Sequence, residues 1–164
     1  MHRRLFLAGL LLILTGCTAV TAPPAVPNIY VMRHLHTPKG LSDPDLTAEG
    51  QAMAAAFPHW LAGNPPSVIF VSSTRRAQQT AAPTAQRYGV TPRIYDPSDT
   101  PGLVAAVLAQ RGTVLVVGHS NTVPEIIAGL GGQRPDPLLH EDFGDIWHIQ
   151  GAQRTTIRSK LPAR

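Results

Sequence analysis

Three short apolar runs, each closing on polar or charged residues, constrain this chain more than any other feature. Ile29-Tyr30-Val31-Met32 runs into Arg33-His34, Val68-Ile69-Phe70-Val71 into Ser72-Ser73-Thr74-Arg75-Arg76, and Val114-Leu115-Val116-Val117 into Gly118-His119. Each has the length and composition of a strand buried on both faces, and a helix-like stretch follows each. That alternation points to an α/β chain with a mostly parallel central sheet between two helical layers, a three-layer α/β/α sandwich. Open parallel sheets bind ligands in the crevice beyond the carboxyl ends of their strands. Two histidines and at least two arginines are therefore expected at one mouth, a set that suits a doubly charged phosphate.

The length of 164 residues suffices for one domain with its own core. Strands are expected over about Asn28 to Arg33, Ser67 to Ser72, Thr91 to Tyr95 and Thr113 to Val117. One helix starts near Thr47, with Met53, Phe57, Trp60 and Leu61 at helical spacing, and a second starts near Thr74. A third covers Leu103 to Gln110, and a short one Asn121 to Leu130. Pro58 is expected to kink or shorten the first helix and Pro83 to interrupt the second. Thr37 to Leu46, with Pro38, Gly40 and Pro44, reads as a loop overhanging His34. Ile146 to Ile149 and Thr155 to Arg158 read as a closing C-terminal hairpin.

The N-terminus has a different character. Met1-His2-Arg3-Arg4 is basic, Leu5 to Leu14 is apolar but short for a membrane span, and Leu14-Thr15-Gly16-Cys17 reads as a lipobox. The expectation is a lipoprotein signal peptide over 1–16, lipidation at Cys17, a Pro/Ala/Thr tether over 17–27 and a folded domain over 28–160. The protein would then be lipid-anchored in the cell envelope, on the periplasmic face of the outer membrane in a Gram-negative host. Cys17 is the only cysteine, so neither a disulfide framework nor a Cys-based zinc site is available. Losing Arg3 and Arg4 with the leader takes the net charge from +4 to +2. No basic block with interleaved aromatics is present, so nucleic acid is not an expected partner.

Arg33-His34-Leu35-His36-Thr37, Leu46-Thr47-Ala48-Glu49-Gly50, Ser72-Ser73-Thr74-Arg75-Arg76-Ala77-Gln78-Gln79-Thr80-Ala81 and Val117-Gly118-His119-Ser120-Asn121 resemble, in order and placement, the motifs of the histidine phosphatase superfamily, branch 1. The resemblance to this phosphoglycerate-mutase-like group covers about Asn28 to Lys160. It implies a phosphatase hydrolysing phosphate monoesters, of a small molecule or a protein, through a phosphohistidine and without metal or other cofactor. It implies His34 as nucleophile, with Arg33, Arg76 and His119 as the other catalytic residues and the phosphate ligands. Motif alignment selects Arg76 over Arg75, which as its helical neighbour points elsewhere, toward solvent. Leu35 stands where the motif usually has Gly, and His36 where many members have Glu or Gln. Only 42 residues (77 to 118) separate Arg76 from His119. That is too few for the long insertion that carries the proton donor in mutase-like members, so the chain resembles the short single-domain phosphatases.

The residues suit that chemistry. A neutral imidazole can accept a phosphoryl group, and nearby guanidinium groups favour its neutral form while donating in forked pairs to phosphate oxygens. Helix N-termini after Ser73 and Asn121 offer further N–H donors. Asp96, Asp99 and Glu125 are the candidate proton donors, although the first two also read as turn chemistry and Glu125 as a first-turn helix residue. His36 reads equally as a pocket-rim or a surface-loop residue, and His2, His59, His140 and His148 as structural or solvated. A metal hydrolase built on His34, His36 and His119 is opposed by the arginines and by the lack of a neighbouring carboxylate. A serine nucleophile elbow fails at Thr122, where it needs Gly. The remaining alternative is a non-catalytic envelope lipoprotein that binds phosphorylated ligands, which Leu35 in place of Gly supports.

Overall fold

The computed structural model describes residues 26–162; the expected signal peptide, Cys17 and all of the expected tether but Val26 and Pro27 lie outside them. Along the chain come β1 (Asn28–Arg33), α1 (Ala48–Trp60), β2 (Val68–Ser72), α2 (Arg75–Tyr88) and β3 (Arg93–Tyr95). There follow α3 (Thr100–Leu108), β4 (Thr113–Gly118), α4 (Val123–Gly129), β5 (Asp145–Gln150) and β6 (Thr155–Lys160). The strands form one sheet in the order β3-β2-β4-β1-β5-β6. The first four in that order run parallel, β5 lies antiparallel to β1, and β6 folds back on β5 as the expected hairpin.

The parallel strands are apolar on both faces because both are covered. On one side Met32, Ile69, Val71 and Leu115 join Phe57 of α1 and Ala81 of α2 in a single core. On the other, Val31, Phe70, Val114 and Val116 join Val107 of α3 and Ile126 of α4. Neighbours along each strand go to opposite cores, as the two-residue period of a strand requires. Leu35 lies just beyond β1, fully buried in the core beneath α1 and α2, and its amide donates to Thr80 Oγ1 at 3.0 Å. Among the described residues no helix is long and apolar enough to cross a membrane.

The helices depart from expectation at their prolines and at one cap. α1 continues through Pro58 to Trp60, and α2 through Pro83 to Tyr88. Each proline removes one backbone donor, but α1 and α2 are packed together over the sheet, and that burial outweighs the local loss. α3 begins at Thr100 rather than Leu103 because Asp99 caps it, its Oδ1 accepting the Gly102 N–H at 2.9 Å. α1 is capped by Thr47, whose Oγ1 accepts the Gly50 N–H at 3.1 Å. Gly50 has a second reason to be glycine: a Cβ there would meet the His36 carbonyl oxygen at 2.6 Å. The first turn of α1 is thus pressed against the segment that follows His34.

Register decides where the site forms. Arg33 of β1 stands opposite Gly118 of β4, and Val71 of β2 opposite Val117. The carboxyl ends of all three strands are therefore level, and whatever follows them converges.

Candidate active site

Beyond those strand ends lies a cavity of about 240 Å³ lined by Arg33, His34, Arg76 and His119. Residues of the 37–44 loop wall it on one side, and Ser120, Asn121 and His140 also border it. The His34 N–H donates to the Gly118 carbonyl at 3.0 Å, so the first histidine is tied to the strand that delivers the second. The two imidazoles stand 5.5 Å apart between centroids, and both residues are buried.

Hydrogen bonding fixes the tautomer of each ring. Nδ1 of His34 lies 2.9 Å from the Leu35 carbonyl, which can only accept; Nδ1 therefore carries the proton and Nε2 keeps a free lone pair. Burial, reinforced by Arg33, His119 and Arg76, pushes the His34 pKa down to about 3 against the opposing pull of the Leu35 bond. Nδ1 of His119 faces Arg76 Nη2 at 3.4 Å, a group that only donates. Nε2 of His119 therefore bears the proton and donates to Ser72 Oγ at 2.8 Å, and Ser72 in turn meets Thr74 Oγ1 at 3.0 Å. Burial first, then Arg76 and Arg33, lowers the His119 pKa to about 4, while Asp43 opposes the shift. Both rings are neutral at neutral pH.

The guanidinium groups are fixed from outside the cavity. Arg33 donates from Nη1 to the carbonyls of Leu139 at 2.8 Å and His140 at 3.0 Å, and its Cζ lies 4.1 Å from the centre of the Phe143 ring. Its Nε is buried without a protein partner, a donor that an anion would satisfy. Arg76 donates from Nη1 to the Ser42 carbonyl and to Asp43 Oδ1, both at 3.1 Å. Asp43 also accepts the Arg75 N–H, at 3.0 and 3.2 Å to its two oxygens. Asp45 binds the Arg75 guanidinium and accepts the Gln79 side-chain amide at 2.6 Å. The overhanging loop is therefore latched to the first turn of α2. The leading N–H of α2, expected to serve phosphate, is occupied by Asp43 instead. Arg75 is turned outward and exposed.

Three carboxylates expected as candidate proton donors do not reach the cavity. Asp96 folds onto Ser98, its Oδ1 accepting the backbone N–H at 2.9 Å and the hydroxyl at 2.7 Å, and these bonds hold its pKa below the usual value. Asp99 caps α3, and Glu125 pairs with Arg134. Each is held by a partner near it in sequence, and none lines the cavity. His36 lies behind the site, 4.6 Å from Phe143 between ring centres and 3.7 Å from Glu49. Among the described residues no group of three or more His, Cys, Asp or Glu is placed to hold a metal ion. His140, read from the sequence as structural or solvated, borders the cavity. Asp43, Ser72 as the partner of His119, and Phe143 were also not picked out by sequence. The acidic pair Asp43 and Asp45 on a loop expected to overhang His34 was a legible signal. His140 and Phe143 had none, because they meet Arg33 from more than 100 residues away.

An imidazole that attacks phosphorus must be neutral and stand beside fixed guanidinium groups, and the cavity at the mouth of this parallel sheet holds that arrangement. Residues 29–98 match the family model of the histidine phosphatase superfamily (branch 1). Solved structures agree on the fold. The protein histidine phosphatase SixA in complex with tungstate superposes with a TM-score of 0.61 at 19% identity, over 80% of this chain and 94% of that one. The mycobacterial glucosyl-3-phosphoglycerate phosphatase with inorganic phosphate gives 0.61 at 18% identity, over 81% and 94%. A candidate phosphohistidine phosphatase SixA from Nakamurella multipartitia gives 0.57 at 24% identity, over 86% and 98%. No curated protein matches the chain by sequence.

Proposed function

We propose that this protein is a phosphatase of the histidine phosphatase superfamily, hydrolysing phosphate monoesters, of small molecules or of a phosphoprotein, through a phosphohistidine formed on Nε2 of His34. The observation that carries the reading is the His34 tautomer: Nδ1–H is bound to the Leu35 carbonyl, so the nucleophilic lone pair on Nε2 is permanently available. Nε2 attacks phosphorus, the ester oxygen departs, and water then displaces the phosphoryl group from the ring. Arg33 and Arg76 balance charge on the phosphoryl oxygens, and neutral His119 holds the Arg76 fork beside them; because each is already held by the protein, little reorganisation is needed. Two of the similar structures hold tungstate and inorganic phosphate, oxyanions of the size and charge this cavity suits.

The non-catalytic reading loses its main support in the core. Leu35 points away from the cavity contents into the packed layer under α1 and α2, so the absent glycine leaves the site open. The envelope location is part of the proposal, with Cys17 as the lipidated mature N-terminus. β1 starts at Asn28 and delivers His34 six residues later, about 20 Å along the strand direction. A tether entering at Asn28 would hold the domain by the pole opposite the cavity and leave the mouth free for substrate. Cys17→Ser protein that is still processed and membrane-bound would exclude the anchor.

Hydrolysis of p-nitrophenyl phosphate without added metal, followed by rapid quench and intact-mass measurement, tests the covalent step. Wild type should carry acid-labile, base-stable phosphate; His34→Ala should fold normally and carry none. Turnover by wild type with no such phosphoprotein would rule the route out.

A further inference from the structure

A phosphate ester of an ordinary alcohol leaves slowly unless its oxygen is protonated as the bond breaks. Among the described residues that line the cavity there is no Asp or Glu to do this. Three imidazoles border it: His34, His119 and His140. His34 has one nitrogen bound to Leu35 and uses the other to attack. His119 gives its N–H to Ser72 and turns its other nitrogen to Arg76. Both are also kept neutral by burial.

His140 is different. It engages Arg33 through its main-chain carbonyl, which leaves the ring free of that task. The ring is only partly buried and stands edge-on to Phe143, 5.6 Å between centroids at 81°. Phe143 in turn lies 5.9 Å from the His34 ring and beneath the Arg33 guanidinium. One aromatic side chain thus sets His140 relative to both nucleophile and phosphate ligand. The neighbouring carboxylates are engaged elsewhere: Glu141 with Lys39 at 2.5 Å, and Asp142 accepting the Leu139 N–H at 2.6 Å.

We infer that His140 is the proton donor to the leaving group, an assignment that rests on the phosphohistidine reading above. Displacement at phosphorus is in line, so the leaving oxygen emerges opposite Nε2 of His34, about 5 Å from it. His34 is buried and His140 only partly so, and both line the cavity, so an oxygen directed outward from His34 passes toward His140. In the first step the Nε2–P bond forms and the P–O bond breaks. The electron pair stays on the ester oxygen, which takes a proton from the His140 imidazolium and departs as alcohol. In the second step a water oxygen bonds to phosphorus and the Nε2–P pair returns to His34. One water proton passes to neutral His140, restoring the imidazolium, and the other leaves with inorganic phosphate. No co-reactant beyond water is required.

The experiment compares p-nitrophenyl phosphate with glycerol 2-phosphate in full-length wild type, His140→Asn and His140→Ala. On the alkyl ester kcat/KM should fall about 10²–10⁴-fold in both variants, and on the aryl ester by less than about tenfold, because nitrophenolate leaves unaided. Phosphate should still be trapped on His34 from the aryl ester, and added imidazole should restore alkyl turnover to His140→Ala. Either variant keeps the main-chain carbonyl that holds Arg33, and His140→Asn serves if the alanine protein folds poorly. Equal losses on both esters, no loss on the alkyl ester, or a wild type that ignores the alkyl ester while turning over the aryl one would overturn the assignment. A wild type with no aryl turnover and no phosphohistidine would instead overturn the parent reading, and this assignment with it.

Discussion

Nη2 of Arg76 stands 3.4 Å from Nδ1 of His119, while Nη1 of the same guanidinium is held by the Ser42 carbonyl and the Asp43 carboxylate. One planar fork therefore ties the overhanging loop to the second histidine and sets that ring's tautomer. Lysine has a single charged centre and cannot hold both sides. Arg76→Lys should lower kcat/KM by about 10²–10³-fold, comparable to losing one preorganised donor, and should weaken inhibition by vanadate. Unchanged vanadate affinity would show that the fork does not serve the phosphate.

Asp43 is the residue through which the loop reaches α2. Asp43→Ala removes an acceptor for the Arg75 N–H, with an expected stability cost of about 0.5–2 kcal/mol, as for other capping residues. It also frees Arg76 from one of its anchors, so KM should rise more than kcat falls. Denaturant melts and steady-state kinetics on the same preparations check both parts. A stability loss with KM unmoved would limit Asp43 to capping.

The two depressed histidines give stability a definite pH dependence. Their pKa values in the fold are about 3 and about 4, below the ordinary value of about 6.5 that they regain on unfolding. Below about pH 6.5 the unfolded chain therefore binds protons that the folded one refuses, and stability falls as pH drops toward 4 and then 3. Above 6.5 this contribution is fully present. Thermal melts from pH 8 to 4 should show the decline, and His34→Gln should make it shallower. A slope identical in wild type and variant would mean that His34 titrates normally.

Leu35 is a packing residue in a motif position. Leu35→Ala should cost about 2–5 kcal/mol, the range for a buried leucine truncated in a tight core. Activity per folded molecule should change little, because the Leu35 contribution to His34 is its carbonyl. Scanning calorimetry with active-site titration separates the two quantities; a large loss of specific activity with unchanged stability would place the side chain in the site.

Asp96, Asp99 and Glu125 should be dispensable for chemistry. Alanine at each should leave the ratio of alkyl to aryl turnover at its wild-type value, and Asp99→Ala should cost about 1 kcal/mol through its lost cap. A selective loss on alkyl esters in any of the three would return the proton donor to a carboxylate.

Local information was enough for the framework. The apolar runs before Arg33, Ser72 and Gly118 needed two covered faces, which specifies a parallel sheet, and the histidines and arginines after them had to gather at the strand ends. The order of the motifs made Arg33, His34, Arg76 and His119 legible as candidate site residues, and the structure brings those four into one cavity. Tertiary structure decided what no local pattern encodes. Pro58 and Pro83 stay helical because α1 and α2 bury each other, and Asp96 and Asp99 are held by turn and cap bonds that keep them off the cavity. Leu35 replaces a glycine because its side chain finds room in the core, and His140 and Phe143 join the site only because the segment before β5 folds over Arg33. The physical reason is the same throughout: periodicity records which face of an element is buried, whereas contacts between distant segments depend on how the elements pack.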